Sequence, residues 1–175
     1  MRHAIDPLRA KGPIPTLSQS PHGGQKSAKS PQSGLQTILG SGLNSQGDFC
    51  VEGKAMVTDV PITYLGYVNR DTGVIVESGH PLDGRAIADT ILIYPKGSGS
   101  TVAPYVLMGL LYQKKGPLAI VNRDVCPLTL PACSLLNVPY GHGFEDDPCM
   151  AVNDGDLIRL KRVSGLVSIE VLERA

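Results

Sequence analysis

The chain has no tryptophan and two phenylalanines, and aromatic residues make up 5% of its 175 residues. A protein that grips single-stranded nucleic acid by stacking needs more flat rings than that. It also lacks an excess of either charge, with 16 basic side chains against 16 acidic ones. Binders of nucleic acid or anionic lipid carry a basic surplus, so neither nucleic acid nor a membrane is the expected partner. Long hydrophobic runs are missing too. The longest apolar stretch, Val102 to Tyr112, is about half of the ~20 residues that a membrane-crossing helix needs. Among Cys50, Cys126, Cys133 and Cys149 there is no C-x-x-C spacing, and no charged start and apolar middle mark a secretory signal. Free thiols and a cytoplasmic setting are expected. A zinc site from Cys126, Cys133, Cys149 and a His would need a ligand spacing unlike the usual ones.

Glycine (20) and proline (14) are plentiful, which predicts many turns. Their distribution is uneven. Residues 1–47 hold five Pro, seven Gly and seven Ser, with five basic residues against Asp6 and no hydrophobic periodicity. Such a segment cannot bury enough apolar surface to offset its ordering entropy, so 1–47 reads as a disordered low-complexity leader. An organelle transit peptide fits the scarcity of acids, but no Arg-rich amphipathic helix supports it. Within the leader, Leu35 to Leu43 is the one piece able to form a helical turn or dock on a partner.

Residues 48–175 have the pattern of one folded domain. Cys50 to Val57 and the apolar run Thr90 to Tyr94 read as strands, the second buried on both faces and ended by Pro95. A helix is expected from Ala103 to Lys114, with Pro104 in its first turn and Gly116-Pro117 stopping it. Leu118 to Val121 reads as a strand and Cys126 to Leu136 as a second helix, which Pro131 must kink or shorten. Val138 to Tyr140 is a short strand, and Asp156 to Leu160 with Leu166 to Leu172 form a hairpin around Ser164-Gly165. Alternating strands and helices in a strand-rich frame give a three-layer mixed α/β fold.

Chemistry concentrates on Gly97-Ser98-Gly99-Ser100-Thr101, between a buried strand and a helix start. Glycine lets the backbone turn sharply and approach a ligand, and a helix start offers N–H groups to an anion. A hydroxyl there can donate to that anion or take up a proton; it can equally be a helix cap. The G-K-[ST] ending of a phosphate-cradling loop is absent. Two further clusters compete. In Gly79-His80-Pro81-Leu82-Asp83-Gly84, His80 can act as acid or base with Asp83 orienting it, or pack in a rigid turn. Glu145-Asp146-Asp147 reads as a solvated loop.

The ordered pair Gly79-His80-Pro81-Leu82-Asp83-Gly84 and Pro95-Lys96-Gly97-Ser98-Gly99-Ser100 resembles the small-subunit (swivel) domain of aconitase X. The resemblance covers roughly residues 50 to 165. It implies a swivelling β/β/α domain that closes over a large catalytic subunit carrying an iron–sulfur cluster, with no cofactor in this chain. It also implies a hydro-lyase acting on a small hydroxy acid, such as cis-3-hydroxy-L-proline or mevalonate 5-phosphate. Ser100 takes the place of the family's proton acceptor, with Gly97, Ser98, Gly99, Thr101 and His80 as substrate-binding candidates. Two positions depart from the pattern. Ser98 stands where a basic residue is common, and Thr101 where a second Ser is common. The missing cation favours cis-3-hydroxy-L-proline over a phosphorylated substrate. Two rivals remain: a non-catalytic anion-binding module, and the small subunit of an isopropylmalate-type isomerase.

Overall fold

The structure, a computed structural model, describes residues 36–175. Seven strands are present: β1 (Thr37–Gly42), β2 (Phe49–Val57), β3 (Thr90–Tyr94), β4 (Ala119–Asn122), β5 (Tyr140–His142), β6 (Leu157–Val163) and β7 (Leu166–Glu173). They close into a barrel in the order β1-β5-β4-β3-β2-β6-β7. β2 through β5 run parallel to one another, and the remaining pairs are antiparallel. Four short helical segments accompany them: α1 (Tyr64–Tyr67), α2 (Ala103–Tyr112), α3 (Leu130–Leu135) and α4 (Pro148–Ala151). α1 is a single distorted turn, with Gly66 at φ +90°.

The period of two along β3 divides the core. Ile91 and Ile93 point into the barrel with Ala119, Val121, Ile158 and Leu160. Leu92 and Tyr94 point the other way, into a second core shared with Val106, Leu107 and Leu110 of α2 and Ala132 and Cys133 of α3. Two barrel walls and one helical layer make the expected β/β/α arrangement. β3 is therefore sealed on both faces, as its unbroken apolar run predicts. β6 and β7 alternate between buried and partly exposed positions, because only their inner face meets the core. Ser164 (φ +50°) and Gly165 (φ +89°) form the tight turn between them, the geometry that matches the twist of two antiparallel strands.

Four expectations need correction. First, the folded part begins before residue 48. β1 lies inside the stretch read as leader and is a strand, not a helical turn. It pairs with β7 from Thr37 to Ser41 and with β5 at Ser41 and Gly42, and Ile38 and Leu43 are buried. Gln46 is also buried; its Nε2 donates to the carbonyls of Cys133 and Val138, and its own carbonyl accepts from Arg162. Residues 1–35 of the expected leader lie outside the described residues. Second, the helix expected over Cys126 to Leu136 is only α3, with Pro131 in its first turn, where a missing N–H costs nothing. Third, α2 stops at Tyr112. Lys114, at φ +57°, turns the chain so that the N–H groups of Lys115 and Gly116 both reach the Leu110 carbonyl. Fourth, the strand expected at Val138 to Tyr140 is β5, two residues later. No helix among the described residues is long and apolar enough to cross a membrane.

Candidate active site

In a sheet of parallel strands, ligands are bound beyond the carboxyl ends, where the connecting loops gather. Here the segments leaving β2, β3 and β4 meet at that edge. Ile62, after β2, bridges to Gly97, after β3. The Ile62 N–H donates to the Lys96 carbonyl at 3.2 Å, and the Ser98 N–H donates to the Ile62 carbonyl at 2.9 Å. From the β4 side, Cys126 Sγ accepts the Gly97 N–H at 3.1 Å. A Cβ on Gly97 would sit 3.2 Å from the Leu128 side chain. Gly97 is thus held from both sides.

The Ser98 hydroxyl lies 2.5 Å from the Thr63 hydroxyl, so it is turned onto the neighbouring segment. Gly99 then takes φ +90°, and a Cβ there would come within 3.0 Å of Thr63 Cγ2. Glycine relieves both the backbone strain and the crowding. Beyond it Ser100 and Thr101 are exposed. Among the described residues, Ser100 Oγ accepts only the Val102 N–H, at 3.3 Å, while its carbonyl takes the Ala103 N–H at 2.9 Å. The hydroxyl therefore closes a turn ahead of α2 and does not cap the helix itself, whose cap residue is Val102.

The anion-binding donors sit one step earlier than a helix-start argument places them. Pro104 has no N–H, and those of Ala103 and Tyr105 are occupied by carbonyls. Among the described residues, the N–H groups of Gly99, Ser100 and Thr101 make no hydrogen bond. Three consecutive free donors beside a glycine with positive φ are backbone groups available to a carboxylate or phosphate.

Behind the loop is a buried hydroxyl network. Tyr94 Oη lies 2.8 Å from Tyr64 Oη and 2.9 Å from Thr129 Oγ1. Tyr140 Oη donates to Asn122 Oδ1 and accepts the Cys126 N–H. Asn122 Nδ2 donates to the Tyr94 carbonyl. Burial raises all three phenols above their ordinary value, so they stay protonated and serve as fixed dipoles. Sequence reading missed Thr63, the contact of Cys126 with the loop and this network, since nothing in the local pattern reveals pairs 14 to 35 residues apart.

His80 is not joined to the loop by any hydrogen bond among the described residues. Its ring is buried, with Nδ1 accepting the Leu82 N–H at 3.1 Å. Asp83 donates its backbone N–H to the His80 carbonyl, and no carboxylate among the described residues orients the ring. The packed turn accounts for Nδ1, while Nε2 is buried without a hydrogen-bond partner among the described residues. In the acidic loop, Asp147 pairs with Arg123 at 2.7 Å and accepts the Cys149 N–H at the start of α4, both structural tasks. The cysteines do not fit an iron–sulfur cluster, which needs several converging thiolates. Cys50 is exposed and the other three are buried. Burial pushes the thiols of Cys133 and Cys149 up to about 12, and no three His, Cys, Asp or Glu residues converge among the described residues.

Comparison with known proteins decides among the rivals. Residues 44–169 match the family described as the aconitase X swivel domain. The chain belongs to this family. It is similar to the phosphomevalonate dehydratase small subunit of Methanosarcina acetivorans, 32% identical over 120 residues that cover 69% of this chain and 83% of that one. The protein of the same name from Pyrococcus horikoshii is 36% identical over 102 residues, covering 58% and 74%. The crystal structure of Thermococcus kodakaraensis aconitase X in its holo-form superposes with a TM-score of 0.69 at 28% identity, covering 79% of this chain and 99% of that one. The family member is the small subunit of a two-subunit dehydratase. That sets aside the non-catalytic module and the isopropylmalate-type isomerase.

Proposed function

We propose that this small subunit serves a dehydratase acting on mevalonate 5-phosphate, and that Ser100 is the proton acceptor. The observation that carries the Ser100 role is the contrast within one loop. Ser98 is bound to Thr63, whereas Ser100 is exposed and held by one long bond from Val102, beside three free N–H groups. Dehydration of a 3-hydroxy acid needs a base for a proton on the carbon next to the carboxylate, while the hydroxyl leaves the adjacent carbon. The free N–H groups of Gly99, Ser100 and Thr101 suit the anionic substrate, and the Val102 N–H stabilises negative charge on Oγ. The described residues offer no site for the Lewis acid that would assist the leaving hydroxyl. The iron–sulfur cluster expected on the large subunit would supply it.

The preference for cis-3-hydroxy-L-proline is reversed. It rested on the missing cation at position 98, but the Ser98 side chain faces Thr63 rather than the free donors, so its charge says little about the substrate. The Methanosarcina and Pyrococcus relatives are phosphomevalonate dehydratase subunits, which supports the phosphorylated acid. The chain reconstituted with its large subunit should turn over mevalonate 5-phosphate with a kcat/KM at least about 100-fold above that for cis-3-hydroxy-L-proline, about 2.7 kcal/mol of discrimination. The opposite order would overturn the assignment.

A further inference from the structure

A glycine in the middle of a helix costs stability relative to alanine, and Gly109 sits inside α2 with no internal reason for being there. A Cβ added at Gly109 would meet no atom within 4 Å. Its absence is therefore not needed for packing among the described residues, and the open space belongs to a groove. That groove, of about 280 Å³, is lined by Arg70, Val102, Tyr105, Val106, Gly109 and Gln113. Tyr105 is 72% and Val102 45% exposed, an apolar rim that starts two residues after Ser100. Arg70 is exposed and makes no ion pair among the described residues.

We propose that this groove docks the large subunit, which inserts an apolar segment against Gly109 and Tyr105 and brings a carboxylate to Arg70. The proposal rests on the reading of Ser100 as a group delivered to a substrate on the other subunit. A partner holding substrate over Ser100 already stands at the head of the groove. The lone cation fixes the sign of the partner's charge, and the missing Cβ fixes where its side chain comes closest. Met150, exposed on α4, a segment that packs on the barrel core and not on the α2 layer, lines no part of this groove and provides the control.

The test is calorimetric titration of the full chain into the purified large subunit without substrate. Gly109→Leu and Tyr105→Glu should each weaken binding by about 50-fold or more, the scale of a central contact. Arg70→Glu should weaken it about tenfold at low salt and less at high salt, as an exposed charge pair is screened. Met150→Glu should change it less than about twofold, as expected of a residue outside the contact. Alone, Gly109→Leu should melt no lower than the parent chain, because helix propensity rises and space is free. Ser100→Ala should leave the affinity unchanged, so a wrong base or wrong substrate would not alter these results. Wild-type affinity for both Gly109→Leu and Tyr105→Glu, or an equal loss at Met150→Glu, would overturn the docking site.

Discussion

Ser98 and Ser100 are two residues apart and have opposite surroundings, and the difference comes from Thr63. The Thr63 hydroxyl meets Ser98 while its methyl packs where a Gly99 side chain would be. Thr63 thereby sets the direction in which Ser100 leaves the loop. Removing this hydrogen bond should cost about 1 kcal/mol, applied where Ser100 is aimed. We expect Thr63→Val to lower kcat of the two-subunit enzyme by about five- to tenfold with little change in KM, and Thr63→Ser to restore it. A loss of melting temperature with kcat intact would show that Thr63 is only structural. The glycines and serines of the loop were legible in sequence because a strand-to-helix turn is local chemistry. Thr63 and Cys126 were not, because they arrive from the ends of β2 and β4 through the parallel pairing. His80 shows the limit from the other side: its motif is conspicuous, but its surroundings were not legible, with Nδ1 taking the Leu82 N–H and Nε2 buried without a partner among the described residues.

At the scale of elements, β1 is the instructive failure. Thr37 to Gly42 reads as low-complexity sequence because of Gly40 and Gly42, but both glycines are packing requirements. A Cβ on Gly40 would lie 2.5 Å from the Phe144 ring, and one on Gly42 would lie 2.8 Å from Val167. The strand needs its small residues so that Phe144 can cover the barrel seam. No local periodicity can announce that. β3, by contrast, was legible because four consecutive buried residues need an apolar run. A chain beginning at Asp48 loses β1, the pairing to β7 and the burial of Ile38 and Leu43, each apolar side chain contributing about 1.5–3 kcal/mol. It should melt at least about 10 °C below a chain beginning at Gly34, given roughly 3 °C per kcal/mol for a domain of this size. Equal melting temperatures would show that β1 is an appendage.

For the molecule as a whole, the closed barrel explains why one short loop is presented so firmly. β3 is buried on both faces and joined on either side by parallel neighbours, so the backbone entering the loop at Pro95 has no freedom to shift. In the proposed reading of Ser100 as the base, this arrangement carries it rigidly to a substrate bound elsewhere. The layered α/β architecture was legible in sequence once β3, α2 and β4 were placed. Its closure was not, because closure depends on β1.

The most direct test of Ser100 as the base is the turnover of Ser100→Ala in the assembled enzyme. If Ser100 takes the substrate proton, kcat should fall at least about 100-fold, the usual contribution of a positioned base. KM should move much less, because the N–H groups of Gly99 and Thr101 remain. The melting temperature should hardly change, since only one exposed bond of 3.3 Å is lost. Thr101→Ala should keep kcat within a few-fold of the parent, since it leaves the Ser100 hydroxyl and its bond from the Val102 N–H in place. Turnover that survives Ser100→Ala, or falls as far with Thr101→Ala, would contradict the assignment of Ser100 as the base.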